Sequence, residues 1–191
     1  MNKLIVATGN PGKLAEMQAY LGEYDIELAL KPPEIDIAET GTTFAENATL
    51  KASQVAKMTK EWAIADDSGL AVDALNGAPG IYSARYGKTD AERIQRLLNE
   101  LGNTSERTAQ FVCALAIANP DGEIIYEAVG ICPGEILTQP QGTGGFGYDP
   151  IFYVRSQQQT FAQMSPETKH QISHRGRAFA QLLPQLPITN D

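Results

Sequence analysis

Lys3-Leu4-Ile5-Val6-Ala7 forms a short apolar run rich in β-branched side chains, followed by Asn10, Pro11 and, further on, Gly22. A capping amide, a proline at the first helical position and a glycine stop predict strand, loop and helix in that order. Within that helix Leu14, Met17 and Leu21 fall on one stripe, suited to packing on a sheet. A second strand is predicted over residues 26–30, after which Lys31-Pro32-Pro33-Glu34 opens a polar loop reaching Thr43, with Glu34, Asp36 and Glu39 along it. Thr43-Phe44-Ala45-Glu46 fits a capping box ahead of a long helix to about Lys60. Trp62-Ala63-Ile64-Ala65 then reads as a strand ending on Asp66-Asp67-Ser68-Gly69. Residues 74–87, rich in Gly, Pro and Tyr, read as an ordered loop, and Thr89-Asp90-Ala91-Glu92 caps a further helix to Leu101. Residues 107–118 and 123–132 alternate apolar and polar positions around Pro120-Asp121-Gly122, an antiparallel hairpin. A glycine-dense loop at 140–150, a strand at 151–154 and a helix from about Ser173 to Leu183, stopped near Pro184, complete the chain.

Strands alternating with helices, with one long hairpin among them, predict an α/β fold: a mixed β-sheet flanked by helices. Composition narrows this. At 191 residues and 42% hydrophobic content the chain is expected to form a single domain over 1–191. A formal charge of −8 argues against nucleic acid as the main partner, because that affinity comes mostly from cations set against phosphates. A small phosphorylated ligand remains compatible, since a few local cations suffice. No apolar run has the length of a membrane span, and the first residues enter a strand pattern without a signal-peptide layout, so the expectation is a cytoplasmic protein with no membrane partner. Cys113 and Cys132 lie inside apolar strand patterns and read as buried, reduced thiols.

Several segments carry candidate chemistry. Thr8-Gly9-Asn10-Pro11-Gly12-Lys13 is a strand-to-helix turn with small residues, polar donors and one cation, where helix N–H groups and Lys13 could hold a phosphate. It is not a Walker A loop, because the glycine spacing differs and Leu14 stands where the metal-binding hydroxyl belongs. The plainer alternative is a capped helix start. In Asp66-Asp67-Ser68-Gly69 adjacent side chains point to opposite faces, so the carboxylates take different roles. One could hold a hard cation or orient water while the other braces the turn, with Glu39 and Glu46 on nearby elements able to complete an oxygen-rich magnesium site. The alternative is an acidic turn that only ends a strand.

Gly142-Thr143-Gly144-Gly145-Phe146-Gly147-Tyr148-Asp149-Pro150 formally contains a dinucleotide fingerprint, but the flanking prolines deny it the strand and helix that motif needs. It reads better as a loop whose glycines let backbone close over a flat ligand, with Phe146 or Tyr148 stacking on a base, or else as a plain glycine turn with core aromatics. Lys169 and Ser173-His174-Arg175-Gly176 form the last group. Arg175 offers a fork of donors for carbonyl or phosphate oxygens, against the alternative of a solvated His-Arg pair at a helix start, and His170 reads as surface.

Taken together and in this order, with Gly77-Ala78-Pro79-Gly80-Ile81-Tyr82-Ser83-Ala84-Arg85, these segments resemble the inosine/xanthosine triphosphate pyrophosphatase family from Thr8 to Gly176. The resemblance implies an elongated mixed sheet dividing two lobes, a nucleotide cleft between them and a homodimer. It implies hydrolysis of purine nucleoside triphosphates to the monophosphate and pyrophosphate with Mg2+. Thr8, Gly9, Asn10, Pro11, Gly12 and Lys13 would hold the triphosphate with Lys51 as an added cation, Asp67 would be the catalytic acidic residue, and Ser68 a substrate contact. Phe146, Gly147, Tyr148, Asp149, Lys169, His174 and Arg175 would surround base and sugar. Many members carry two acidic residues before the Thr-Gly pair, and here, with Ala38-Glu39-Thr40-Gly41, either Glu39 joins Asp67 as metal ligand or the metal leans on Asp67 and the substrate phosphates.

The residue types suit that chemistry, because water attack on the α-phosphorus needs neutralised phosphate charge and an oriented water, not a covalent nucleophile. Two rivals stay open: a hydrolase of modified pyrimidine triphosphates, which base preference would separate, and a nucleotide-binding regulatory module. The acidic pair speaks against the second, since a pure binder of triphosphate gains nothing from added negative charge without a metal.

Overall fold

The computed structural model describes residues 3–22 and 24–187. Its strands are β1 (Lys3–Val6), β2 (Glu27–Leu30), β3 (Trp62–Val72), β4 (Thr108–Ala118), β5 (Ile124–Ile136), β6 (Phe152–Val154) and β7 (Gln159–Thr160). Its α-helices are α1 (Pro11–Leu21), α2 (Phe44–Thr59), α3 (Asp90–Leu101), α4 (Pro166–Ile172) and α5 (His174–Leu182). The strands form one open sheet in the order β2-β1-β3-β4-β5-β6-β7. β1 pairs in parallel with β2 and β3, whereas β6 pairs antiparallel with β5 and β7, so the sheet is mixed as the alternation of elements predicts. No helix among the described residues is long and apolar enough to cross a membrane.

The chain resolves into two compact units, and β3, β4 and β5 each contribute residues to both. The first contains the chain up to Asp67, Cys113–Gly130 and the chain from Arg175 on. There β1, β3 and β4 are buried on both faces. Leu4 and Val6 pack with Ile64, Leu115 and Ile117 against Met17 and Leu21 of α1 and Phe179 and Leu182 of α5. The alternate residues Ile5, Ala63, Ala65, Ala114 and Ala116 pack against Ala48, Ala52, Val55 and Ala56 of α2. Alanines on both partners let that helix lie close to the sheet, and a leucine such as Leu21, fully buried, contributes about 1.5–3 kcal/mol. The second unit comprises Ser68–Val112 and Ile131–His174. Its core packs Leu97 and Leu101 of α3 with Phe111, Phe152 and Phe161, whose rings lie 4.7–5.6 Å apart.

Local signals place most helix ends. Asn10 caps α1 through its side chain, Thr43 and Glu46 form a reciprocal capping box on α2, and Thr89 caps α3. Cys113 and Cys132 are buried free thiols. Two expectations are corrected, for the end of β3 and for His170, and one helix is added. β3 does not end at Ala65 but runs on to Val72, so Asp66 and Asp67 sit in mid-strand, where Lys13, Lys51 and the buried Arg175 offset their charge. Residues before Ser173 form α4, a short helix capped by Ser165 that lacks the apolar stripe by which longer helices announce themselves. His170, on α4, is half-buried.

Candidate active site

Asp66 and Asp67 are consecutive on β3 and their side chains diverge, as the pleat requires. Asp67, 6% exposed, accepts a hydrogen bond at Oδ1 from Lys51 Nζ (2.8 Å) and at Oδ2 from Asn47 Nδ2 (3.3 Å). Lys51 Nζ also donates to Glu39 Oε1 at 2.7 Å, so both carboxylates expected to bind metal converge on one ammonium. Asn47 and Lys51 lie one turn apart on α2 and thus share a face. The amide of Gly41 donates to Asn47 Oδ1 (2.8 Å), which leaves Asn47 Nδ2 for Asp67. A Cβ on Gly41 would stand 2.7 Å from that same Oδ1, so the approach of the Thr40-Gly41 turn to α2 requires glycine. Burial pushes the Asp67 carboxyl above its ordinary value against the pull of Lys51. Burial works to lower the Lys51 pKa, and Asp67 and Glu39 outweigh it, so Lys51 stays a firm cation. Glu46 does not join this group. Its Oε2 accepts from Thr42 N (2.6 Å), Thr42 Oγ1 (2.8 Å) and Thr43 N (3.2 Å), which makes it a helix-capping residue.

Asp66 heads a second cluster on the other face of β3. Its Oδ1 pairs with Lys13 Nζ, and its Oδ2 accepts from Arg175 Nε (3.0 Å) and from the Cys113 thiol (3.0 Å). Arg175 Nη1 pairs in turn with Glu16 on α1. Asp66 and Arg175 are each 1% exposed. Burial alone would raise the Asp66 pKa, but Arg175 and Lys13 overcome it and hold the carboxyl well below the ordinary range. Burial next to Asp66 pushes the Cys113 thiol well up, which keeps it a neutral donor. The cluster changes two sequence expectations. The carboxylate expected to brace a turn instead anchors Lys13, and the Arg175 donors expected to face a base carbonyl go to Asp66 and Glu16. Around Lys13, Thr8 Oγ1 accepts from Asn10 N (3.1 Å), and Asn10 Oδ1 accepts from the amides of Gly12 (2.9 Å) and Lys13 (3.3 Å). Two helix-start amides expected to be open are therefore capped by Asn10, and Gly9, Asn10 and Pro11 are exposed.

The second unit gathers the remaining residues. Asp149 is buried, and its Oδ2 accepts from Phe146 N (2.9 Å) and Lys169 Nζ (2.7 Å). Lys169 Nζ lies 4.9 Å from the centre of the Phe146 ring, a cation–π contact that holds the half-buried ring against α4. Gly142, Gly145 and Gly147 all have positive φ, and a Cβ on Gly145 would collide with the Asp149 carboxylate. Tyr148, expected as a possible stacking ring, is buried and donates its hydroxyl to Ser83 O (2.9 Å). His174 is buried, its ring stacked on Phe111 at 4.7 Å. Ser68 is half-buried on β3.

Sequence reasoning missed Asn47, Ser83, Glu16 and the role of Cys113. Asn47 left a readable trace, a polar residue one helical turn before Lys51 on the face of α2 that buries Ala48 and Ala52. Glu16 and Cys113 left none, because their partners are distant in the chain.

An open mixed sheet whose interior strand carries lysine-paired carboxylates on both faces is the arrangement of an α/β enzyme that handles charged ligands. The chain belongs to the Ham1 family, whose sequence profile matches residues 4–185. It is 68% identical to the dITP/XTP pyrophosphatase of a Nostoc species over 96% of this chain and 93% of that protein. It is 61% identical to the Synechocystis dITP/XTP pyrophosphatase, over 98% of this chain and 96% of the other. Among solved structures, a HAM1 protein from Coxiella burnetii matches with a TM-score of 0.86 at 46% identity, covering 95% of this chain and 96% of that one. The Staphylococcus aureus Ham1 protein matches with a TM-score of 0.84 at 46% identity, covering 94% and 95% of the two chains.

Proposed function

We propose that this protein hydrolyses noncanonical purine nucleoside triphosphates, the inosine, deoxyinosine and xanthosine forms, to the monophosphate and pyrophosphate. The observation that carries the mechanism is the Asp67 carboxylate, buried in mid-strand, raised in pKa and bracketed by Lys51 and Asn47. A carboxylate so placed is a competent general base. The oxygen of a water forms a bond to the α-phosphorus, the bond from that phosphorus to the α,β-bridging oxygen breaks, pyrophosphate leaves, and the water proton passes to Asp67. Lys51 and Lys13 offset phosphate charge, and the turn from Thr8 to Lys13 receives the triphosphate.

Glu39 and Asp67 would hold magnesium. Their oxygens already converge on a single cation, Lys51 Nζ. Among the described residues no group of three or more acidic, His or Cys side chains could hold a metal by itself. Two carboxylates plus substrate phosphates and water suit magnesium, which is seldom caged by protein alone. When bound, it would neutralise phosphate charge beyond what the lysines supply. In the second unit, Phe146 would stack on the base and Gly147, Tyr148, Asp149, Lys169 and His174 would form its surroundings. Ser68 would be a substrate contact. Arg175 would act from behind, through Asp66 and Lys13.

The reading extends to a cytoplasmic homodimer. One face of β5 supports it, because Ile125, Val129 and Ile131 are each 42–43% exposed on the same side of the strand as the exposed Glu127, while Ala128 and Cys132 are buried on the other. Exposed apolar stripes of this kind mark association surfaces.

A panel of nucleoside triphosphates with magnesium, assayed separately for pyrophosphate and orthophosphate, tests the activity. Inosine and xanthosine triphosphates are expected to release pyrophosphate, with little turnover of adenosine or guanosine triphosphate. Orthophosphate as the direct product would place attack at the γ-phosphorus and overturn the reading.

A further inference from the structure

The glycine loop is tied down from outside itself at a place the reaction does not use. Asp90, the first residue of α3, accepts a hydrogen bond at Oδ2 from the backbone amide of Gly147 (2.7 Å), 57 residues away in the chain. Its Oδ1 pairs with Arg93 Nη1 at 2.5 Å, and Arg93 Nε donates to the carbonyls of Ala84 and Gly87, each at 3.0 Å. Gly147 lies between Phe146 and Tyr148, with φ of +63°. Three fixed points thus set this stretch of loop: Phe146 N on Asp149, Gly147 N on Asp90, and the Tyr148 hydroxyl on Ser83 O. Ser83 belongs to the Gly80–Arg85 turn and also receives the Leu70 amide at its Oγ (2.9 Å), which ties the turn to β3. Of the three, the Asp90 bond alone comes from a carboxylate outside the loop, and hydrogen bonds to charged groups are the stronger kind.

We propose that Asp90 is a positioning residue for base recognition. By holding the Gly147 amide it fixes the backbone that carries the Phe146 ring. This rests on the assignment of Phe146 to the base. Losing the bond frees the backbone between Phe146 and Tyr148, so the ring no longer waits in the orientation that receives a base. The consequence falls on binding, not on the bond-breaking step, because the bond governs the loop and leaves Lys13, Lys51 and Asp67 as they are.

The test compares Asp90→Ala, Asp90→Ser and Asp90→Asn with the parent and with Phe146→Ala. Measurements are steady-state kinetics on inosine triphosphate and amide hydrogen exchange at Gly147. Serine suits a helix start but is too short to reach Gly147, so it carries the test should alanine weaken α3. Alanine and serine are expected to raise KM about 10-fold, leave kcat within about twofold and speed exchange at Gly147. Asparagine, which keeps an acceptor oxygen, is expected to restore KM and slow exchange toward the parent. If Phe146→Ala raises KM while Asp90→Ala and Asp90→Ser leave both KM and Gly147 exchange unchanged, the Asp90 proposal is wrong and the base assignment stands. If Phe146→Ala itself leaves KM at the parent value, the base assignment fails and takes the Asp90 proposal with it.

Discussion

Asp66 and Asp67 differ by one position on β3 and by everything around them. Asp67 faces a lysine, an amide and a second carboxylate, and its pKa is raised by burial. Asp66 faces Lys13, Arg175 and a thiol, and its pKa is held down by two cations despite burial. Asparagine at each site should therefore give opposite phenotypes. Asp67→Asn is expected to lower kcat by about 100-fold or more, the scale of a lost general base, with a thermal melt close to the parent because Lys51 keeps Glu39. Asp66→Asn is expected to cost about 3–5 kcal/mol in a denaturant melt, since it leaves the buried Arg175 and the partly buried Lys13 without the carboxylate they share. The acid limb of stability belongs to the same residue. A folded pKa below the ordinary 3.8 means that Asp66 stabilises the fold above that pH. This contribution is lost as pH falls through the folded value, and the Asn variant should show a shallower acid limb. Near-normal activity in Asp67→Asn, or a parent-like melt in Asp66→Asn, would reverse these assignments.

Among elements, legibility followed distance in sequence. The caps of α1, α2 and α3 were readable because donor and acceptor lie within three residues, so Asn10, Thr43 and Thr89 need nothing from the rest of the fold. The alternation expected of the hairpin holds along β5, whereas β4 from Cys113 to Ala118 is buried on both faces, which depends on helices distant in the chain. Two consecutive carboxylates read as the end of β3 until their cations arrive from α1, α2 and α5. Arg175 was legible as a residue that matters but not in its surroundings, as its partner Asp66 is 109 residues away. Likewise Glu39 and Lys51 were legible by resemblance to a family, and Asn47 between them was not. The Thr40-Gly41 turn shows how tightly one element sets another. Gly41→Ala is expected to destabilise the protein by about 1–3 kcal/mol and to lower kcat, because its Cβ would displace Asn47 and loosen Asp67. A melt and activity both matching the parent would show that the turn has slack which the 2.7 Å approach does not suggest.

For the whole molecule, the family match spans residues 4–185 and so covers both compact units of the chain. The net charge of −8 makes local cations the decisive feature for a triphosphate ligand. Each lysine proposed to meet phosphate is held by a carboxylate of β3, Lys13 by Asp66 and Lys51 by Asp67, which keeps the cations placed while the ligand is absent. The proposed reaction begins with a water, activated at Asp67, attacking the α-phosphorus. Hydrolysis of inosine triphosphate in oxygen-18 water, with both products weighed by mass spectrometry, locates the atom attacked. Attack at the α-phosphorus places the heavy oxygen in inosine monophosphate and leaves pyrophosphate unlabelled. Heavy oxygen in the pyrophosphate would show attack at the β-phosphorus and contradict the mechanism.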